Sequence, residues 1–397
     1  SIRSAELLKN YQKLDYKSLK DEEKEEKIIF HLLSDFIKKE TLEKLKTLEK
    51  ELSAFYPTKI QPHILSDEIF KNYPKYCGNY MTYFRFYIPH ILSAIDRALY
   101  LDVDMVACAD IRALWSLDLT GVFACTIRDW VKHAHEKRIA LKAGEENFDF
   151  GDYYFNAGFL FFNLKKSREE NLVEKCIYFL SNYKVIAPDQ DALNYAIREN
   201  TSCVLPFSFN NMNEGTHIHQ LGNAKIKSHY AMADLKFWSE NTVILHLAGG
   251  VKPWENPFIM QNEKGEYIGL YYVAAAKQSF CFANDATQNL FVYAQKTDIA
   301  RSILQYANNI FGLFFIPFII QKIKIRNFVD LNEVLEYLKN QEQNPIFQGL
   351  DYHGKSFLIK ELYSKYEKVK NSGFLYLLKL PFAILKAKNW AKKSKFC

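Results

Sequence analysis

No two cysteines in this 397-residue chain stand at Cys-x-x-Cys spacing. Its seven cysteines (Cys77, Cys108, Cys125, Cys176, Cys203, Cys281 and Cys397) are scattered and odd in number. That pattern argues against a thiolate-bound structural zinc and predicts free thiols in a reducing compartment. No apolar run reaches the ~18–20 residues that a membrane-spanning helix needs. The longest candidate, residues 310–320, is too short and contains Pro317. The sequence opens with no signal-peptide pattern and shows no internal repeat, so a cytoplasmic protein is expected. The charge is modest, 52 Lys and Arg against 46 Asp and Glu for a net +6, but unevenly spread, with the basic excess at the C-terminus. Hydrophobic residues make up 48% and aromatic residues 15%, which fits a well-packed globular chain long enough for one large domain and a smaller one.

Strand and helix signals alternate along the first two-thirds. Residues 27–33 read as a buried strand followed by the cap Ser34-Asp35, residues 38–52 as a helix, and 60–64 as a further strand. Strands are also expected at 99–103, 122–126, 159–163 and 242–247, with helices over 167–182 and 189–197. This alternation predicts an α/β fold built on an open sheet. After about residue 265 the strand signals fade and helical periodicity takes over, with amphipathic stretches at 331–338 and 359–369. The expected division is therefore 1–265 and a helical region, 266–397.

Four stretches carry chemistry. Leu99-Tyr100-Leu101-Asp102-Val103-Asp104 ends an apolar run in two carboxylates at i, i+2, which share one side of a strand. If the chain bends at Asp102, both can converge on one hard divalent cation; the same pair also serves as turn or capping residues. Tyr153-Tyr154-Phe155-Asn156-Ala157-Gly158 brings an amide and two small residues to the start of a strand, either a sugar-binding approach or a plain turn. Pro188-Asp189-Gln190-Asp191 opens a helix, where the carboxylates can cap it or orient a sugar and stabilise charge at its anomeric carbon. Finally, Leu245-His246-Leu247-Ala248-Gly249-Gly250-Val251-Lys252 places an imidazole, two glycines and a lysine at offsets suited to a metal-bound diphosphate; the alternative is a buried strand histidine before a loop.

The order and joint presence of these stretches resemble glycosyltransferase family 8, the retaining sugar-nucleotide transferases that include bacterial lipopolysaccharide galactosyl- and glucosyltransferases. The similarity runs from about residue 27 to 256. It implies a GT-A-type, Rossmann-like nucleotide-sugar domain with an open mixed sheet and, here, a helical C-terminal extension. It further implies Asp102, Asp104 and His246 as ligands of Mn²⁺, with Mg²⁺ as a substitute. Gly249 and Lys252 would meet the diphosphate, Arg85 would hold the donor, and Asn156, Ala157, Asp189 and Gln190 would form the donor-sugar pocket. Gln190 and Asp189 are the candidate catalytic residues, Gln190 beside the anomeric carbon and Asp189 in sugar binding or electrostatics. The implied reaction moves a hexose, galactose or glucose, from a UDP-sugar to a lipopolysaccharide, lipooligosaccharide or other cell-surface acceptor with retained configuration.

Family members begin with a strand carrying an Ala-x-Asp-like segment for uracil and ribose. Here Ser1-Ile2-Arg3-Ser4-Ala5 resembles the helix that follows it, so an incomplete N-terminus is expected. The alternative is an inactive, N-terminally truncated member acting as a membrane-associated binding protein. His133/His135 and His217/His219 lie in polar segments without suitably spaced Cys or carboxylate partners and are read as surface histidines. The lysine-rich, aromatic segment from Gly373 to Lys395 is expected to lie on an anionic bilayer, placing the protein on the inner face of the cytoplasmic membrane. A lipid-linked oligosaccharide is the expected acceptor, and no nucleic-acid fold is discernible.

Overall fold

The computed structural model describes residues 27–76, 78–132, 139–144, 147–212, 227–248, 252–258, 267, 269–270, 273, 283–309, 326–350, 352–371 and 374–393. His133/His135, His217/His219, residues 1–26 and residues 310–320 lie outside that set. Main-chain packing divides the chain into two compact units, Ser1–Leu247 and Ala248–Cys397, so the change of periodicity near residue 265 falls inside the second.

The first unit is mixed α/β. Strand β1 (Ile28–Ser34) leads through helix α1 (Lys39–Ser53) to β2 (Thr58–Ile64), and the two strands pair in parallel. Leu45, Leu48 and Leu52 form the buried stripe of α1, at the spacing of one helix face. Next come a 3-10 turn (Met81–Tyr87) and strands β3 (Arg97–Leu101), β4 (Met105–Ala107), β5 (Ala124–Thr126) and β6 (Phe159–Asn163). Helices α2 (Leu164–Glu169), α3 (Leu172–Asn182) and α4 (Pro188–Ala196) precede β7 (Ser202–Val204), β8 (Asn211–Met212) and β9 (Ile244–His246). The larger sheet runs β3-β6-β5-β7: β6 is antiparallel to both neighbours and β5 is parallel to β7. A second sheet runs β8-β9-β4, parallel then antiparallel.

β6 lies at the centre of the core because both its faces are apolar. Leu160 and Phe162 join the cluster that holds Phe150, Phe179 and Leu193. Phe161 meets Trp115 from the other side, ring centroids 5.1 Å apart, and Phe159 meets Phe209. A strand covered on both faces reads as a continuous apolar run, as this one does.

Most boundaries shift from the sequence expectation by one or two residues, and two departures have a cause in the backbone. The helix expected over 167–182 breaks at Asn171, whose φ of 56° is left-handed, a conformation asparagine tolerates better than most residues. β3 stops at Leu101 rather than Val103, because the chain turns at Val103-Asp104 directly after a last bond from Asp102 N–H to Gly158 O (2.9 Å).

The second unit is helical where described: α5 (Ala283–Ala307), α6 (Leu331–Glu342), α7 (Tyr352–Asn371) and α8 (Phe374–Lys393). Ile303 of α5, Leu358 and Leu362 of α7, and Leu380 and Ile384 of α8 share one buried cluster. Among the described residues, no helix is long and apolar enough to cross a membrane.

Candidate functional site

Two backbone hydrogen bonds shape the turn between β3 and β4. Asp102 N–H donates to Gly158 O at the mouth of β6, and Leu247 N–H donates to Asp104 O at the end of β9 (2.8 Å). Both sheets thus meet at the Asp-x-Asp turn. Val103 points outward, 81% exposed, while its neighbours point in. His246 ends β9 and is buried, its Nε2 3.4 Å from Asp104 Oδ1 and 3.9 Å from Asp102 Oδ2. One ligand atom from each of Asp102, Asp104 and His246 falls within 4.8 Å of the others. Two carboxylate oxygens and an imidazole nitrogen at that spacing are a donor set suited to a divalent metal of intermediate hardness. The chain turns at 103–104, directly after Asp102, and the two carboxylates converge.

Arg85 braces this cluster. It projects from the 3-10 turn into a buried position, and each of its three nitrogens donates to protein. Nε reaches Thr82 O (3.0 Å), Nη1 reaches Ala157 O (2.8 Å) and Asp189 Oδ2 (3.2 Å), and Nη2 reaches Asp102 Oδ1 (3.0 Å). The Tyr100 ring lies against the guanidinium, 4.7 Å from its centroid, and the Tyr100 hydroxyl donates to the same Asp102 oxygen at 2.5 Å. Asp102 Oδ1 is therefore occupied, and Oδ2 is the oxygen near His246. Burial alone would lower the Arg85 pKa, but Asp102, Tyr100 and Asp189 outweigh it and raise it, so the guanidinium stays charged. Burial likewise pushes the Asp189 carboxyl above its usual value against the pull of Arg85.

The helix start at Pro188 separates its two carboxylates by role. Asp191 Oδ2 accepts from the amides of Ile186 and Ala187 (2.8 and 2.9 Å) and Oδ1 from the Tyr154 hydroxyl (2.5 Å), so Asp191 anchors the helix entry. Asp189 goes to Arg85. Gln190 Oε1 accepts from Ala157 N–H (3.0 Å) and Asn156 Nδ2 (3.2 Å), and its Nε2 donates to Asp129 Oδ2 (3.3 Å). Asn194, one turn on, brackets Phe155 by accepting from its N–H and donating to its carbonyl, both at 2.8 Å. This pins the 153–158 segment to α4.

Residues 7–257 match the family model for glycosyl transferase family 8. The chain belongs to that family. It is 27% identical over 286 residues to the lipopolysaccharide 1,3-galactosyltransferase of Salmonella typhimurium, covering 68% of this chain and 77% of that protein. Identity to an Escherichia coli lipopolysaccharide 1,2-glucosyltransferase is 28% over 256 residues, 62% and 71% of the two chains. Against a Haemophilus influenzae relative it is 32% over 176 residues, 42% of this chain, and the match spans only 50% of that relative's length. A crystal structure of the galactosyltransferase LgtC with donor and acceptor sugar analogues aligns with a TM-score of 0.50 and 20% identity, covering 69% of this chain and 91% of that one. That likeness establishes the GT-A-type fold.

Of the site residues expected in this family 8 chain, the structure brings together Arg85, Asp102, Asp104, Asn156, Ala157, Asp189, Gln190 and His246 through the contacts above. Lys252 begins a turn in the second unit, its carbonyl accepting from Glu255 and Asn256 N–H at 2.9 Å. Gly249 lies outside the described residues. Sequence reasoning missed Tyr100, Asp129, Asn194 and Asn210. Asn210 holds His246: its Oδ1 lies 2.9 Å from Nδ1. The one available signal was a pair of amides, Asn210-Asn211, in the apolar stretch Phe207-Ser208-Phe209, and both are fully buried.

Proposed function

We propose that the chain is a Mn²⁺-dependent retaining hexosyltransferase that moves galactose or glucose from a UDP-sugar to a lipopolysaccharide, lipooligosaccharide or similar cell-surface glycan. The observation carrying this reading is the convergence of Asp102, Asp104 and His246 within 4.8 Å in a family 8 chain. The names of the Salmonella and Escherichia coli relatives support the acceptor class. The catalytic domain would be residues 1–265, with 266–397 as a helical region.

Asp102 Oδ2, Asp104 and His246 Nε2 would hold the cation, which when bound supplies Lewis-acid neutralisation of charge developing on the leaving diphosphate. Arg85 holds the Asp102 and Asp189 carboxyl groups in place, so the ligand geometry need not be reorganised during reaction. Gln190, held at both ends of its amide, presents a polar, uncharged group to the sugar, and Asp189 adds negative potential nearby. Lys252 and Gly249 are assigned to the diphosphate by the family resemblance, and Lys252→Ala tests that assignment through donor affinity.

The deciding experiment is a donor screen reading UDP release from individual UDP-sugars with and without Mn²⁺. Metal-dependent release with one UDP-hexose, abolished in Asp104→Asn and in His246→Ala with thermal unfolding unchanged, is expected. Full turnover in either variant would remove that residue from the metal site.

α8 supports a membrane-surface partner. It carries Lys379, Lys386, Lys388, Lys392 and Lys393 and no acidic residue. Leu378, Phe382 and Leu385 stand exposed at i, i+4 and i+7 on the side opposite the buried Leu380 and Ile384. An anionic bilayer on the cytoplasmic face would bring the enzyme to a lipid-linked acceptor.

A further inference from the structure

His246 has two ring nitrogens with different neighbours, and the one that carries the proton decides what faces the carboxylates. Protonated on Nε2, it would offer an N–H to Asp104 Oδ1 at 3.4 Å and oppose a cation. Protonated on Nδ1, it leaves a lone pair there. The contact from Nδ1 to Asn210 Oδ1 (2.9 Å) does not decide by itself, because an asparagine amide can be turned end for end. The next links decide. Asn210 Nδ2 donates to Asn156 Oδ1 at 3.0 Å, and Gly158 N–H donates to that same oxygen at 3.0 Å. A backbone N–H can only donate, so Asn156 must present its oxygen to it. That oxygen requires the NH₂ of Asn210, which turns the Asn210 oxygen toward His246, and that oxygen requires a proton on Nδ1. A second backbone donor acts in the same sense: Ala157 N–H fixes Gln190 Oε1 (3.0 Å), which receives Asn156 Nδ2 (3.2 Å).

We propose that the main-chain amides of Gly158 and Ala157, relayed through Asn156 and Asn210, set His246 as the Nδ1–H tautomer, so that its Nε2 lone pair is ready before a cation arrives. Asn210 is thus a positioning residue for the metal centre, and the inference rests on the metal reading above. Asn156 Oδ1 already accepts two hydrogen bonds, which fills its acceptor capacity. Its contribution to a bound sugar is then limited to the remaining Nδ2 hydrogen.

The test is made on the metal-free protein labelled with ¹⁵N at histidine, at about pH 9, where imidazoles are neutral. His246→Gln assigns the signal, and long-range ¹H–¹⁵N correlations tell the protonated ring nitrogen from the other. Wild type is expected to hold Nδ1–H. Asn210→Asp keeps an acceptor facing Nδ1 and should retain that tautomer. Asn210→Leu removes it and should shift the ring toward Nε2–H, with Mn²⁺ affinity falling by roughly 10–100-fold. A wild-type ring in the Nε2–H form or in a mixture overturns the proposal, as does a folded Asn210→Leu protein with unaltered tautomer. If Asn210→Leu does not fold, loss of Nδ1–H in Asn210→Asp overturns it. A wild type that holds Nδ1–H yet binds no Mn²⁺ refutes the metal centre and leaves the relay standing.

Discussion

Gly158 sets how closely the proposed metal ligands approach one another. A Cβ built there would lie 2.6 Å from His246 Cε1 and 2.9 Å from both Asn156 Oδ1 and Asp102 Oδ2, inside van der Waals contact with each. Those three atoms belong to two of the proposed ligands, His246 and Asp102, and to the Asn156 amide that bonds the His246 partner Asn210. No neighbour can yield without disturbing the site, since Asp102 is held by Arg85 and His246 by Asn210. Gly158→Ala should therefore cost about 1–3 kcal/mol of stability through overpacking. It should also weaken Mn²⁺ binding by at least about tenfold, the scale on which displaced ligand-orienting groups act. Chemical denaturation gives the first number and a Mn²⁺ titration followed by electron paramagnetic resonance gives the second. Wild-type affinity in Gly158→Ala would mean that the ligands relax freely, and the close packing around Gly158 would then be irrelevant to binding.

At the scale of elements, β1 and β2 carry a pH-sensitive contact away from the Asp102, Asp104 and His246 cluster. His31 Nδ1 and His63 Nε2 lie 2.9 Å apart with stacked rings, so at least one ring must be neutral to accept. Burial lowers the pKa of His31, with His63 adding to it, and burial lowers that of His63. A histidine whose folded-state pKa is depressed binds fewer protons than the unfolded chain as pH falls through the ordinary histidine range, so stability declines there. The unfolding midpoint should drop between about pH 7 and pH 5, and His63→Gln should flatten that part of the profile. An unchanged slope in His63→Gln would show that the pair does not contribute. The elements themselves were largely legible: α1 by its leucine spacing, β6 by its unbroken apolar run, α4 by Pro188 at its first turn. What could not be read was tertiary. Nothing local marks Asn171 as left-handed, and nothing near Asp189 or Asp191 says which bonds the amides before the helix and which meets Arg85. The carboxylate pair and His246 were legible because strand ends announce them. Asn210 was not, because Asn156 and His246, to which it bonds, lie far away in sequence.

For the molecule as a whole, the question is what α8 does besides pack. Removing it, by ending the chain near residue 370, is the obvious test of membrane attachment, but it would also strip Leu380, Ile384, Ala387 and Ala391 from the buried cluster they share with α5 and α7. A truncated protein that fails to reach membranes could simply be misfolded. Trp390 is partly committed as well, stacked on Phe357 with ring centroids 5.0 Å apart. The exposed face is the safer target. Lys379 and Lys386 are exposed, as are Leu378 and Phe382, at 63% and 77%. Each lysine near an anionic surface contributes about 1 kcal/mol, so Lys379→Gln with Lys386→Gln should weaken binding to vesicles containing phosphatidylglycerol by roughly 30-fold. That loss should shrink at high salt, where the screening length falls to a few ångströms. Phe382→Ser should weaken binding at every salt concentration, because burying its ring in the interface is not electrostatic. The thermal midpoint should stay put in both variants, since none of these side chains packs in the cluster. Equal vesicle binding by wild type and the double lysine variant would remove the membrane surface as the partner of α8.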